Sequence, residues 1–249
     1  MRILTFNVND FCGTEATRPS EKRKIKKAKK DFIEEQEKNI ADLLLDFEPE
    51  PDIIVLQEFT YSCKAEFKEK LNNRKIKYEL VVAAEEYLRN TSRVAIAVRK
   101  ELTALKMDTK MVPDRNGKWL AVKVGNLNIL GVHVPCKKSH NIDFWDCIGE
   151  YADTYGGENT IIIGDFNPTN EKYKDKHEDE KKRLENFVEK KVECNKILDE
   201  NNRGRSLDRA YLSKSIKCIA SQSIATSLSD ENHPYVLAVD FEIQEAIQC

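Results

Sequence analysis

The chain has 249 residues, of which 40% are hydrophobic and 34% charged, with a formal net charge of -2. That is enough apolar material for one continuous core, and residues 1–249 are taken as a single domain. The near-neutral balance excludes a protein that coats nucleic acid through bulk charge, so a polyanionic substrate requires a local patch.

No apolar run approaches the roughly 20 residues that cross a bilayer, and the flanks of a signal peptide are missing around Met1-Arg2-Ile3-Leu4. Seven cysteines, scattered from Cys12 to Cys249 without a CxxC pair, fit reduced thiols better than disulfides or a zinc site. A soluble, cytoplasmic protein without a transmembrane segment is expected.

In chain order, Arg2 to Phe6 is a predicted strand that stops at Asn7. The stretch from Arg18 to Lys30 carries Lys22, Arg23, Lys24, Lys26, Lys27, Lys29 and Lys30. It reads first as a solvated helix face answered by Glu34, Glu35 and Glu37, and otherwise as a phosphate-backbone contact beside an active site. Phe32 to Phe47 has helical spacing, with Phe32, Ile33, Ile40, Leu43, Leu44 and Phe47 on one stripe. Asp52 to Leu56 is a strand running into Gln57-Glu58, and Tyr78 to Ala83 and Val94 to Val98 follow as further strands.

Leu120 to Val124 and Leu127 to Val134 form a predicted hairpin around Gly125-Asn126. The second strand is apolar on both faces, which implies a sheet covered on both sides. Thr160 to Ile163 leads into Gly164-Asp165-Phe166-Asn167, Glu171 to Lys191 reads as a surface helix of mixed charge, and Tyr235 to Phe241 is a final strand just after His233. The chain is therefore mixed α/β, without a short-period repeat or a Pro/Gly/Ser-rich linker.

Polar residues recur where the apolar strands stop: Asn7, Glu58, Asp165 and Asn167, joined by His133 in Gly131-Val132-His133-Val134-Pro135, Asp208 in Ser206-Leu207-Asp208-Arg209, and His233. Singly, His133 reads as a hydrogen-bonded core histidine and Asn7 or Asn167 as a turn or strand-end cap. Together they point to a site, because strand ends in layered α/β folds project side chains into one shared edge crevice. Hard oxygen donors without clustered thiolates suit Mg2+ or Mn2+ better than zinc, with Glu58 as the preferred metal ligand. Phosphodiester cleavage further needs a base for water, charge stabilisation at the phosphoryl oxygens and help for the leaving group.

Thr5-Phe6-Asn7, Asp52-Ile53-Ile54-Val55-Leu56-Gln57-Glu58, Gly131-Val132-His133, Gly164-Asp165-Phe166-Asn167 and Ser206-Leu207-Asp208-Arg209 match, in order, signatures of the endonuclease/exonuclease/phosphatase superfamily. The chain resembles that DNase I-like group over almost its whole length. The resemblance implies a four-layer α/β/β/α sandwich, two mixed sheets face to face with helices outside, and an active site at one edge.

Carried over, it makes Glu58 the metal ligand, Asn7 a metal-site or phosphate-site partner, Asn167 a phosphate binder and Asp165 the carboxylate that positions water or the leaving oxygen. Asp208 would orient His233, the general base, and His133 would bind phosphate or act as an acid. His133 in place of a tyrosine is more similar to pancreatic-type deoxyribonucleases and sphingomyelinases than to abasic-site endonucleases. The family ordinarily ends in Ser-Asp-His-x-Pro, whereas this chain has Ser229-Asp230-Glu231-Asn232-His233-Pro234. Either Asp230 reaches the metal from a longer loop, or Asn232 substitutes with a neutral oxygen.

The leading expectation is a nuclease with nucleic acid as substrate. The runner-up is a phosphatase or phosphodiesterase acting on a phosphorylated lipid or small metabolite, and the third reading is a catalytically reduced binding protein motivated by Asn232. Around the substrate loops lie Lys137, Lys138, His140, Lys172 and Lys174, with few aromatics to stack bases. Protein partners are left open.

Overall fold

The computed structural model describes residues 1–8, 24–60, 63–83, 92–103, 107–108, 117–134, 159–166, 194–197, 208–226 and 235–244, together with residues 144, 148, 186 and 228. In chain order the elements are β1 (Arg2–Asn7), α1 (Lys24–Leu45), β2 (Ile53–Thr60), α2 (Lys64–Leu71), β3 (Tyr78–Val82), β4 (Ser92–Arg99), α3 (Lys100–Thr103) and β5 (Met107–Asp108). Then follow β6 (Trp119–Val124), β7 (Leu127–His133), β8 (Thr160–Asp165), β9 (Cys194–Ile197), β10 (Asp208–Ser213), β11 (Ile216–Ala225) and β12 (Tyr235–Ile243).

Every strand expected from apolar patterning forms, including the β6–β7 hairpin in which Val124 pairs with Leu127. The helix expected from Phe32 begins earlier, at Lys24, so the basic stretch Lys24 to Lys30 lies in its first turns. The side chains of residues 24–32, and the whole of Arg18 to Arg23, lie outside the described residues. Glu37 is buried and takes a 2.5 Å bond from Lys70 of α2, while the expected pairing of the basic stretch with Glu34, Glu35 and Glu37 involves side chains outside the described residues. Only Asn186 of the expected helix from Glu171 to Lys191 is described.

The strands make two six-stranded sheets, ordered β11-β12-β1-β2-β4-β3 and β5-β6-β7-β8-β10-β9. Each has a single parallel pair at its centre, β1 with β2 and β7 with β8, flanked by antiparallel neighbours. Side-chain alternation then sorts the apolar residues into three layers. Ile3, Ile53, Val55, Val94 and Ile96 meet Leu120, Val122, Ile129, Ile161, Ile163 and Ala210 between the sheets. The alternate residues Leu4, Phe6, Ile54, Leu56, Ala95 and Ala97 face outward, under Ile40 and Leu44 of α1 and Phe67 and Leu71 of α2.

The second sheet covers its outer face in the same way. Trp119, Ala121, Leu130, Val132, Ile162 and Tyr211 pack with Phe144 and Ile148, two helical residues four positions apart. The architecture is the α/β/β/α sandwich. Its sheets approach closely at Gly131, where an added Cβ would lie 2.8 Å from Val55 Cγ1 and 2.9 Å from Val94 Cγ1. Among the described residues, no helix is long and apolar enough to cross a membrane.

Candidate active site

Alternation along the central strands places Thr5 and Asn7 of β1, Gln57 of β2, His133 of β7, Asp165 of β8 and Asp208 of β10 on the face turned toward the opposite sheet. Register then gathers them at one edge. Asn7 is the partner of Gln57, His133 of Asp165, and Asp165 of Asp208, so each sheet contributes one row of polar residues at the C-terminal ends of its parallel pair. Carboxyl ends of parallel strands are where open α/β sheets hold their ligands.

Glu58 breaks the alternation. Leu56 and Phe59 both pack outward, leaving Gln57 and Glu58 as two residues where a regular strand allows one. The β2–β4 register shifts between Leu56 and Phe59, and Glu58 takes φ 52°. A bulge of this kind re-aims a side chain and marks stored backbone strain, both common beside active sites. Here it turns the Glu58 carboxylate toward the crevice.

The convergence is close. Asn7 Nδ2 donates to Glu58 Oε1 at 3.1 Å and to Asp165 Oδ2 at 3.2 Å, so one carboxamide spans a carboxylate from each sheet. His133 Nε2 stands 3.6 Å from Glu58 Oε1 and 3.7 Å from Asp165 Oδ2. One ligand atom each from Glu58, His133 and Asp165 falls within a 4.8 Å cluster. Asn7, Asp165 and Asp208 are buried, His133 is 6% exposed and the Glu58 side chain 25% exposed, so the cluster opens to solvent on the Glu58 side.

Two carboxylate oxygens this close are a natural cation site, and the donor set is dominated by hard oxygens. Mg2+ or Mn2+ fits these residues. The second carboxylate is Asp165, to which the family resemblance alone gives the positioning of water or the leaving oxygen.

Two further positions were not assigned from sequence. Gln57 Nε2 donates to Thr5 Oγ1 at 2.8 Å, buttressing the row behind Asn7, and its Oε1 accepts no hydrogen bond from a described residue. Lys118, just before β6, puts Nζ 3.3 Å from His133 Nδ1. Gln57 stood in the matched motif without a role, whereas nothing in the local sequence distinguishes Lys118 from any exposed lysine.

The sequence-predicted residues Asn7, Glu58, His133, Asp165 and Asp208 are thus brought to one edge. Asn167, His233, Asp230 and Asn232 lie outside the described residues, as do Lys137, Lys138, His140, Lys172 and Lys174.

The profile described as the Endonuclease/Exonuclease/phosphatase family matches residues 4–230. No curated protein matches the chain. Among solved structures, an AP endonuclease from Archaeoglobus fulgidus superposes with a TM-score of 0.59 at 16% identity, covering 98% of this chain and 100% of that one. An endonuclease/exonuclease/phosphatase family protein from Bacteroides thetaiotaomicron gives 0.63 at 16% identity, with 99% and 98% covered. A mannosyl-6-phosphatase from the same organism gives 0.61 at 15% identity, with 98% and 100% covered. At such identities the likeness is one of fold.

Proposed function

Because the chain belongs to the endonuclease/exonuclease/phosphatase family, we propose that it is a divalent-metal-dependent phosphoesterase, and specifically a nuclease that hydrolyses phosphodiester bonds. The observation that carries this reading is the meeting of Glu58, Asp165 and His133 within 4.8 Å, with Asn7 bridging the two carboxylates across the sandwich.

In this reading Glu58 and Asp165 hold the cation, and Asn7 fixes the spacing of their oxygens through its two hydrogen bonds. The cation, Mg2+ or Mn2+, supplies Lewis-acid polarisation of the phosphoryl group. His133, with Nε2 3.6 Å from Glu58 Oε1 and 3.7 Å from Asp165 Oδ2, would donate to a phosphoryl or leaving oxygen. Asp208, next to Asp165 in the row, orients His233, which takes the proton from the attacking water. Asn167 binds the phosphate, and Asp230 or Asn232 adds a further oxygen near the metal.

A phosphatase reading has one specific support: the mannosyl-6-phosphatase superposes as well as the AP endonuclease does. One panel separates the alternatives. The protein is incubated with Mg2+, and with EDTA as control, on plasmid DNA, RNA, phosphoinositide vesicles, a sugar phosphate and a chromogenic phosphodiester. Metal-dependent cleavage of nucleic acid is the expected result. Turnover confined to the sugar phosphate or the lipid replaces the nuclease by the phosphatase, and turnover of nothing leaves a binding protein.

A further inference from the structure

We propose that Lys118 is a positioning residue that dictates which ring nitrogen of His133 carries the proton. It keeps Nδ1 bare and Nε2–H as the donor facing the site. The proposal rests on the phosphoesterase reading only for what Nε2–H then does, since the hydrogen-bond polarity itself is independent of any reaction.

An ammonium group has three donors and no acceptor. Lys118 Nζ lies 3.3 Å from His133 Nδ1, so Nδ1 must present its lone pair. In a neutral imidazole the proton is then on Nε2. The acceptors are where this tautomer needs them: Nε2 looks toward Glu58 Oε1 at 3.6 Å and Asp165 Oδ2 at 3.7 Å, and ring N–H and carboxylate attract.

The opposite assignment, with Nε2 as a metal ligand, conflicts with the same contact. A ligating histidine must be unprotonated on the metal side, and it ordinarily donates its other N–H to a carboxylate, a backbone carbonyl or water. Here the other nitrogen meets a donor. Of the three clustered residues, Glu58 and Asp165 are then the ones to hold a metal, with His133 beside them as a hydrogen-bond donor.

The backbone makes the contact reproducible. His133 N donates to Lys118 O at 2.7 Å, and the next pair in the ladder, Trp119 with Val132, begins the regular β6–β7 register. Lys118 thus grips His133 at main chain and side chain together.

The test reads the ring nitrogens directly in the metal-free protein. Long-range proton–nitrogen NMR of the histidine-labelled full chain, with the His133 signals identified by their loss in His133→Gln, should show Nε2 protonated and Nδ1 bare. Lys118→Met, which retains the stem and removes the donor, should abolish that single tautomer, and Lys118→Arg, another pure donor, should keep it. On a chromogenic phosphodiester with Mg2+, Lys118→Met should lower kcat at unchanged KM, by about 10- to 100-fold out of the roughly 10²- to 10⁴-fold that a positioned proton donor contributes, with most of the loss restored by arginine.

A protonated Nδ1 in the wild type, or an unaltered His133 spectrum in Lys118→Met, overturns the proposal. A change in KM alone would make Lys118 a substrate contact and also overturn it. A wild-type protein that hydrolyses no phosphoester would sink the functional reading instead, while the NMR comparison still decides the tautomer.

Discussion

Glu58 is one of two non-glycine residues with positive φ among the described residues. Its φ of 52° is a conformation that costs of order 1–3 kcal/mol and is retained only where surrounding structure enforces it. The enforcing contacts are on both sides of the bulge: Phe59 anchored against Phe67 of α2, and Asn7 bonded to the Glu58 carboxylate. Glu58→Gln preserves shape and hydrogen bonding while removing the charge that a cation requires, so its effect isolates the electrostatic role. Because loss of an outer partner alone costs about 10- to 100-fold, loss of the ligand itself should lower kcat/KM by at least about 100-fold. Calorimetric titration of Mg2+ should show the matching loss of affinity, and unaltered affinity would remove Glu58 from the metal site. The proposed water-activating pair, Asp208 and His233, has its own test. Asp208→Ala, His233→Ala and the double variant should have similar rate defects, since residues acting as a unit do not multiply. Independent, multiplying defects in steady-state kinetics would argue that Asp208 serves something else.

At the scale of elements, the strand ends matter because two glycines let the central strands come together. A Cβ on Gly164, which has φ 145°, would lie 2.1 Å from Val132 O, a backbone atom that cannot yield. Gly164 immediately precedes Asp165, so any displacement of β8 relative to β7 moves the carboxylate away from Asn7 and His133. Gly131→Ala meets methyl groups of Val55, Val94 and Ile96 and should cost about 1–3 kcal/mol by overpacking, read from the urea midpoint. Gly164→Ala should cost more and also abolish metal binding at temperatures where the chain remains folded. Equal stability of the two variants would mean that the β7–β8 contact is softer than this geometry. The central strands were legible in the sequence because burial on both faces makes them continuous apolar runs. β11 was not, since as an edge strand it exposes Lys217, Ile219 and Ala220 and has a register shift between Cys218 and Ala220. The eight residues of α2 bury only Phe67 and Leu71, too few for a periodic signal. Site residues at strand ends could be read for the same reason as the strands. Lys118 could not, because its partner is chosen by the pairing of β6 with β7 and not by its neighbours in sequence.

In the whole molecule the two sheets are built alike, with one parallel pair each and the C-terminal ends of both pairs at the same edge. The candidate metal centre therefore straddles the sandwich, with Asn7 and Glu58 from one sheet and His133 and Asp165 from the other. A cation bound there cross-links the layers and belongs to the folded state alone, because the unfolded chain separates Glu58 from Asp165 by more than a hundred positions. Binding to the native state only should stabilise it by about 2.7 kcal/mol at a Mg2+ concentration 100 times the Kd. Without the cation the sign reverses. Two carboxylates held together by one carboxamide repel each other at neutral pH, so removing either charge relieves the folded state. Thermal unfolding should accordingly show a rise in Tm with Mg2+ for the wild type and little rise for Glu58→Gln. In EDTA, Glu58→Gln should melt no lower than the wild type, and the two curves should cross as Mg2+ is added. A variant less stable than the wild type in EDTA would mean that Glu58 holds the bulge in place through more than its charge. The carboxylate would then be part of the scaffold as well as a ligand.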